Sequence, residues 1–291
     1  MLRPMPEVAI VVDTTHYMPR ELVEANGLHE VSLYVNQGDR HERESDMPDF
    51  DAFYEGLRTS AQLPTTSQPS IGDFLAVYEP LVEEGRDVVS VHISGGISGT
   101  VESARQAASD LRARKPQRRI EVIDTQSACG IIALTAMAGA AAARAGGDID
   151  AVTARVRSAV DIAKIWFAVD TLEFLRRGGR IGTAQAWLGG ALKIKPILTV
   201  DGEITPIERV RTSGRAFERM VDFLRTRHDD GCDAWVVQHI QAPDQAAALV
   251  ERGRAIFGSD PAFVSEIGPV IGTHVGPGLL GVGGVPRSLL D

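Results

Sequence analysis

The sequence predicts an α/β protein with an N-terminal doubly wound parallel sheet and a C-terminal α+β part whose sheet is mainly antiparallel. In the first half, short β-branched apolar runs alternate with amphipathic helical stretches. In the second half, a hairpin turn at Asp201-Gly202 joins two strand-like runs. The 291 residues exceed the length that one hydrophobic core usually serves. Two domains are therefore expected, residues 1–160 and 161–291, with residues 61–75 at their interface.

Four apolar runs predict the strands of the first domain, at residues 8–13, 31–35, 88–94 and 120–125. Continuous apolar runs of this kind are typical of parallel strands that are covered on both faces. Two helices between or after them are predicted from apolar residues that share a helical face. These residues are Val101, Ala104, Ala108 and Leu111 in the first helix, and Val152, Val156, Ala159 and Ala163 in the second. The Ala-rich run at 131–143 is shorter than the ~20 residues of a membrane span, so it predicts a buried helix.

The second domain begins with a predicted strand at 165–169. A Gly-rich loop with Arg176, Arg177 and Arg180 follows, and then a helix of small residues. The turn at Asp201-Gly202 suits the type I′ geometry of a two-residue hairpin. The remaining predicted elements are a helix with Phe217, Met220, Val221 and Leu224 on one face, a strand at 235–239, a helix at 246–257 and a strand at 263–267.

Composition and charge restrict the function classes. The net charge of −9 argues against nucleic acid as a general partner, because that binding needs clustered cations. Cys129 and Cys232 lack the spacing of a disulfide framework or a zinc site and are expected as reduced core residues. No signal peptide is evident at the start, which favours the cytoplasm. The sequence has no phosphate-loop motif and no metal-ligand spacing, so we expect no metal and no other cofactor.

Three predicted strands of the parallel sheet end in polar residues, namely Asp13-Thr14, Ser94 and Asp124-Thr125. Ligands of such sheets lie beyond the carboxyl ends of the strands, so these ends mark a candidate site. The loop 94–100 fits either an anion site made of backbone N–H groups or a tight turn in which Ser98 or Thr100 caps the next helix. Asp13 and Asp124 could serve a metal, but they are preferred as acceptors that fix loop backbones and hydroxyls.

Six motifs in order resemble the DegV family of bacterial fatty-acid-binding proteins. They are VDTTHYMP at 12–19, TSQPS at 66–70, ISGGISGT at 93–100, VIDT at 122–125 with Ser127, DTLEFLRRGGRI at 170–181 with IKPIL and VRT after it, and IGPVIGTHVGPG at 267–278. Together they extend over most of the chain. Gly95 stands where the family has a serine.

The resemblance implies a carrier that holds a long-chain fatty acid in a tunnel between the domains and presents its carboxylate to a separate ATP-dependent acyl kinase. It implies that the carboxylate meets Thr66, Ser94 and, through a small network, His274. Because a buried carboxylate must be hydrogen-bonded, Gly95 and Ser98 are expected to add a backbone N–H and a hydroxyl to this set. The three arginines would dock the kinase or offset phosphate charge. Transient contact with a membrane is a further expectation.

Other functions compete with the carrier. Ser94, Asp124 and His274 could form a hydrolase triad, although no GxSxG motif surrounds the serine. A phosphotransferase acting on a small acyl or hydroxylated substrate is a second alternative, which the missing phosphate loop disfavours. A DNA-associated regulator is a third, and the acidic balance disfavours it.

Overall fold

A computed structural model describes residues 7–47, 49–59, 63–188 and 194–291. The strands are β1 (Val8–Asp13), β2 (Leu28–Val31), β3 (Tyr34–Gln37), β4 (Arg40–Arg43), β5 (Thr65–Ser67), β6 (Asp87–His92), β7 (Ile120–Asp124), β8 (Lys164–Ala168), β9 (Lys195–Asp201), β10 (Glu203–Val210), β11 (Ala234–His239), β12 (Phe263–Glu266) and β13 (Leu280–Val285). They form three sheets.

The helices are α1 (Arg20–Ala25), α2 (Phe50–Thr59), α3 (Ile71–Glu83), α4 (Thr100–Arg114), α5 (Gly130–Arg144), α6 (Ile149–Ile162), α7 (Glu173–Arg177), α8 (Ser213–Asp229), α9 (Pro243–Phe257) and α10 (Pro269–Val275). Short 3₁₀ helices lie at Thr14–His16, Glu44–Asp46, Gly182–Trp187 and Arg287–Leu289. The predicted helix of small residues corresponds to the 3₁₀ helix Gly182–Trp187, and residues 189–193 after it lie outside the described residues.

The first sheet confirms the predicted parallel sheet. Its strand order is β2-β1-β6-β7, and every neighbouring pair is parallel. Successive residues of β1 face opposite layers: Ile10 packs in the core that includes α5 and α6, whereas Val11 packs with α3 and α4. Helices therefore cover both faces, which explains why these strands are apolar throughout.

The predicted strand at 31–35 is wrong, because the chain changes sheets inside it. Val31 ends β2 and lies opposite Asp13 of β1. Tyr34 begins β3, which pairs antiparallel with both β4 and β5 in a separate three-stranded sheet. β5 contains Thr66, so part of the segment 61–75 is a short strand. Residues 61 and 62 lie outside the described residues.

The second large sheet has the order β10-β9-β8-β13-β11-β12. All its neighbouring pairs are antiparallel except β11 and β12, so the prediction of a mainly antiparallel sheet is confirmed. The hairpin forms as predicted, but its type I′ turn is wrong. Glu203 pairs with Asp201, and within the hairpin only Gly202 has a positive φ, of 72°. A type I′ turn needs two such residues.

Helix α5 lies between the two large sheets. Its buried side chains include Ile131, Ile132 and Leu134, and it contacts β1 and β6 on one side and β8, β11 and β13 on the other. One continuous apolar cluster therefore contains residues of both sheets. No helix within the described residues is both long and apolar enough to cross a membrane. We propose the passage from α6 to β8 as the division between the two domains, close to the expected boundary at 160.

Candidate functional site

A mostly apolar cavity lies between the two large sheets. The N-terminal domain contributes Ile93, Ile97 and Ala128 to its wall, and the C-terminal sheet contributes Phe167 and Val200. Helix α10 and strand β5 complete it. The cavity encloses about 850 Å³ of space free of atoms, its mouth included.

Besides Ser67, Gln68 and Gln238, the polar side chains that line this cavity are Thr66, Ser98, Arg180 and His274. We call the last four the polar cluster. Thr66 Oγ1 lies 2.7 Å from His274 Nε2, although the two residues are 208 positions apart in the sequence. Short elements hold them, since Thr66 lies in β5 and His274 in the last turn of α10. Thr66, Arg180 and His274 also line a groove on the outer surface with Arg177. The polar cluster therefore separates the cavity from the outer surface.

His274 is electrically neutral over the physiological pH range. Burial, and secondarily the charge of Arg180, lower its pKa to about 4. Within the described residues, its buried Nδ1 has no hydrogen-bond partner. Gly178 lies directly against this atom, and a Cβ at position 178 would overlap it. Glycine at 178 thus permits the close approach of the arginine loop to the imidazole.

The three arginines of the predicted loop have different environments. Glu173 Oε1 accepts from Arg176 Nη2 at 2.7 Å and from Arg177 Nε at 2.6 Å. These hydrogen bonds lower the pKa of Glu173 to about 2. Arg180 instead donates to the carbonyl oxygen of Gly178 at 2.7 Å, and it forms no ion pair with any residue that the structure describes. The uncompensated charge at the cavity is therefore that of Arg180.

In the loop after β6, one predicted site residue lines the cavity and two others do not. Ser98 lines the cavity, and its Oγ lies 2.8 Å from Thr100 Oγ1. Ser94 does not line it: the side chain is fully buried, and its hydroxyl donates to the carbonyl oxygen of Gly202 in the β9–β10 turn. Gly95 does not line the cavity either, and its N–H donates to Asp124 Oδ2 at 3.1 Å. Ser94 and Gly95 thus join the loop to the neighbouring strand end and to the other domain.

Two carboxylates support this loop. Asp13 is fully buried, and its Oδ2 accepts the N–H of Ile93 at 2.9 Å and lies 3.1 Å from His92 Nδ1. Burial alone would raise its pKa, but hydrogen bonds from His92, Thr15 and Ile93 outweigh burial and lower it. Asp124 accepts from the backbone of Gly95 and from Gln126 N at 2.8 Å. Both carboxylates therefore hold backbone N–H groups at the ends of parallel strands.

A third carboxylate, that of the buried Glu44, holds helix α10. Glu44 is 3% exposed and accepts from Thr14 Oγ1 at 2.9 Å, Tyr17 OH at 2.8 Å and Val270 N at 2.7 Å. Burial raises its pKa to about 7. Since Val270 lies in the first turn of the helix that carries His274, Glu44 fixes one end of an element of the cavity wall. Sequence reasoning did not identify it, because Glu44 lies in a run of charged residues that resembles a solvated loop.

The candidate triad does not assemble. His274 lies against Thr66, Ser94 bonds to Gly202, and Asp124 bonds to Gly95 and Gln126. No group of three or more His, Cys, Asp or Glu side chains in the described parts of the chain is placed to hold a metal ion. Chemically, the polar cluster offers hydroxyls, a neutral imidazole and one guanidinium, which together suit an anionic group at the end of an apolar molecule.

Comparison with known proteins identifies the family. The family model of uncharacterised proteins of the DegV family matches residues 7–287. The chain belongs to the DegV family. A DegV domain-containing protein of Streptomyces coelicolor is 40% identical over 279 residues, which cover 94% of this chain and 97% of that protein.

Two solved DegV structures share this fold. The crystal structure of DegV from Bacillus subtilis, a fatty-acid-binding protein, has a TM-score of 0.85 and 34% identity, covering 96% of this chain and 98% of that one. A fatty-acid-binding DegV family protein from Thermus thermophilus has the same TM-score and identity, covering 96% of this chain and 99% of that one. The α/β fold expected from the sequence motifs is therefore confirmed.

Proposed function

We propose that this DegV family protein binds a long-chain fatty acid in a tunnel between its two large sheets. The observation that carries the proposal is an apolar cavity with one polar end, in a chain 34% identical to fatty-acid-binding members of its family. Burial of an acyl chain contributes about 0.8 kcal/mol per methylene, on the order of 10 kcal/mol for about 16 carbons before entropic costs.

The polar cluster would receive the carboxylate. An ionised carboxylate that leaves water needs hydrogen bonds or a cation. Thr66 and Ser98 offer hydroxyls, and Arg180 brings a charge without an acidic partner in the described chain. We therefore replace Ser94 and Gly95 of the expected set with Arg180. Asp13 and Asp124 keep a supporting role, because their oxygens already accept backbone N–H groups.

Ligand content tests this proposal. Protein purified from cells and measured by native mass spectrometry should carry an added mass equal to that of a fatty acid. After delipidation it should bind palmitate and oleate, detected by calorimetry. A delipidated, folded protein that takes up neither acid would refute the proposal.

We further propose that the protein presents the carboxylate to a separate ATP-dependent acyl kinase, which forms the acyl phosphate. The outer groove supports this idea, because it reaches Thr66 and His274 from the surface and is lined by Arg177 and Arg180. A kinase bound there could reach the carboxylate while the acyl chain stays buried. The protein itself would act as a carrier without catalysis. Its cytoplasmic location and transient membrane contact stay predictions.

A matched pair of variants tests kinase docking. Arg177 lines the groove and Arg176 does not, although both pair with Glu173. With a purified fatty acid kinase and ATP, Arg177→Glu should reduce acyl phosphate formation at least tenfold while fatty acid affinity stays within twofold. Arg176→Glu serves as the control and should have the smaller effect. Equal acyl phosphate formation by Arg177→Glu and the unchanged protein would reject docking at the groove.

A further inference from the structure

A glutamine forms part of the otherwise apolar cavity wall at the end away from the polar cluster. Gln238 lies in β11 and is 2% exposed. Its Oε1 accepts the N–H of Gly130 at 2.6 Å, where α5 begins. Its Nε2 donates to the carbonyl oxygen of His16 at 3.2 Å and to Ser265 Oγ at 3.0 Å. One side chain thus links β11 to α5, to the segment after β1 and to β12.

The cavity wall crosses the sheet from strand to strand as far as Gln238 of β11, and Ile267, directly after β12, also lines it. Wall residues come from β10 (Ile204), β9 (Val200), β8 (Phe167), β13 (Gly281) and β11 (Gln238). The four residues of β12, all of them described, contribute none. Gln238 pairs with Gly281 across β11 and β13, and Gly281 pairs with Phe167 across β13 and β8. These three residues therefore form one row across the strands.

The polar cluster lies at the opposite end of the same path. Arg180 Nε lies 3.4 Å from the carbonyl oxygen of Ile97, and a Cβ on Gly96 would overlap the carbonyl oxygen of Gly202 in the β9–β10 turn. The hydroxyl of Thr183 donates to the carbonyl oxygen of Ile204 in β10 at 3.4 Å. The arginine loop and the loop after β6 therefore meet beside β10, four strands away from β11.

The length of this path can be estimated from sheet geometry. Neighbouring strands are about 4.8 Å apart, so four spacings give about 19 Å. A C–C bond of about 1.5 Å with an angle of about 111° advances an extended chain by about 1.25 Å. The path therefore accommodates roughly 16 carbons when the carboxylate is at the polar cluster.

We infer that Gln238 sets the upper limit of acyl chain length at about 16 carbons. A longer chain would have to displace an amide that bonds to two buried backbone groups and to the half-buried Ser265 hydroxyl. Leaving the buried groups without partners costs more free energy than the burial of one further methylene contributes. This inference rests on the proposed fatty acid binding and assigns the residue that closes the cavity.

A series of saturated acids from 10 to 20 carbons, competed against a fluorescent fatty acid, tests the inference. For the unchanged protein, affinity should rise about fourfold per methylene up to about 16 carbons and then stop rising. Gln238→Ala removes four heavy atoms, which is room for about two methylenes, so the affinity ratio of the 18-carbon to the 16-carbon acid should increase about 16-fold.

Two further variants separate the effect of side-chain length from other effects. Gln238→Met retains a side chain of similar length but lacks the hydrogen bonds that fix the amide, so its length limit should be weaker than that of the unchanged protein and stricter than that of Gln238→Ala. Gln241→Ala is the matched control: Gln241 bonds to Glu266 and Asp51 and does not line the cavity, so its length profile should not change.

Several outcomes would overturn the inference. One such outcome is a fatty acid affinity of the unchanged protein that keeps rising up to 20 carbons. This measurement does not depend on the folding of any variant. A folded Gln238→Ala protein that loses affinity equally for all lengths would also overturn the inference. The result that would refute fatty acid binding itself is distinct from these outcomes, because in that case no acid of any length would bind the unchanged protein.

Discussion

At the residue scale, two side chains from distant parts of the sequence form the central contact of the polar cluster. Thr66 and His274 lie within hydrogen-bond distance, and the imidazole is kept neutral by burial and by Arg180. A neutral imidazole can donate from one nitrogen and accept at the other, so it can adjust to a carboxylate without adding a second negative or positive charge to the cavity.

The Thr66 hydroxyl can be removed with little change of shape. Thr66→Val should reduce fatty acid affinity about 5–10-fold, because a buried carboxylate and the imidazole both lose a hydrogen-bond partner. Calorimetric titration with palmitate measures the effect. Thr65→Val, on the exposed neighbour in the same strand, is the control. Equal affinities for the two variants would contradict a role of Thr66 in carboxylate binding.

Glu44 predicts a pH dependence of stability. Its pKa is about 7 in the folded protein, against 4.5 as the ordinary value. The folded state then binds a proton that the unfolded state has lost, so this contribution to stability is complete below about pH 4.5 and is lost as pH rises through about 7. Tyr17 and Tyr54, which face Glu44, have raised pKa values and stay neutral in this range.

Glu44→Gln removes this ionisation. Between pH 5 and pH 8, the free energy of unfolding of the unchanged protein should fall by about 2.5 kcal/mol relative to that of the variant. Urea denaturation of both proteins at the two pH values measures the difference. A constant difference would show that Glu44 does not titrate with a raised pKa.

At the scale of elements, close helix–sheet packing keeps the cavity sheet in position. Helix α9 covers the face of β11 opposite the cavity, and Gly253 of α9 lies against the fully buried indole of Trp235. A Cβ at position 253 would overlap three ring atoms of Trp235. Glycine therefore permits the short distance between α9 and the strand that carries Gln238.

Gly253→Ala should lower the free energy of unfolding by about 1–3 kcal/mol, since overpacking against a rigid ring outweighs the better helix propensity of alanine. Gly56→Ala in α2 is the matched control. A Cβ there meets no atom within 4 Å, so this variant should gain about 0.5–1 kcal/mol. Denaturant midpoints measure both changes, and stabilisation by Gly253→Ala would contradict the close packing.

At the scale of the whole molecule, one apolar cluster joins the two large sheets, and with them the two proposed domains, through α5. The domains should therefore unfold together. All three tryptophans, Trp166, Trp187 and Trp235, lie after residue 163, so their fluorescence reports on the C-terminal domain, whereas circular dichroism reports on both. Thermal transitions from the two signals should coincide. Two separate midpoints would show that the domains are independent folding units.

The sequence predicted most of the fold because apolar periodicity and turn residues act locally. The strands β1, β6 and β7 and the helices α4, α5 and α6 follow directly from such patterns. The change of sheet inside residues 31–35 could not be predicted, since both strands are apolar there and only their pairing partners differ. Strand β13 was missed because its glycines weaken the strand signal.

The site was less accessible to sequence reasoning. Sequence motifs identified Thr66, Ser98 and His274 as candidate site residues, and all three line the cavity. The same loop motif also includes Ser94, whose hydroxyl is used by a carbonyl group from the other domain. Which hydroxyl faces the cavity depends on the packing of the β9–β10 turn, and no local sequence pattern encodes that packing. Gln238 lies in none of the recognised motifs, so sequence reasoning did not identify it.

The position of β13 affects how the protein is made. This strand, at residues 280–285, lies between β8 and β11 in the middle of the second sheet. A ribosome synthesises β8 to β12 first, so these strands emerge before the strand that must join them. The pairs β8–β13 and β13–β11 can therefore form only after residue 285 has left the ribosome, so the second sheet is completed at the end of synthesis.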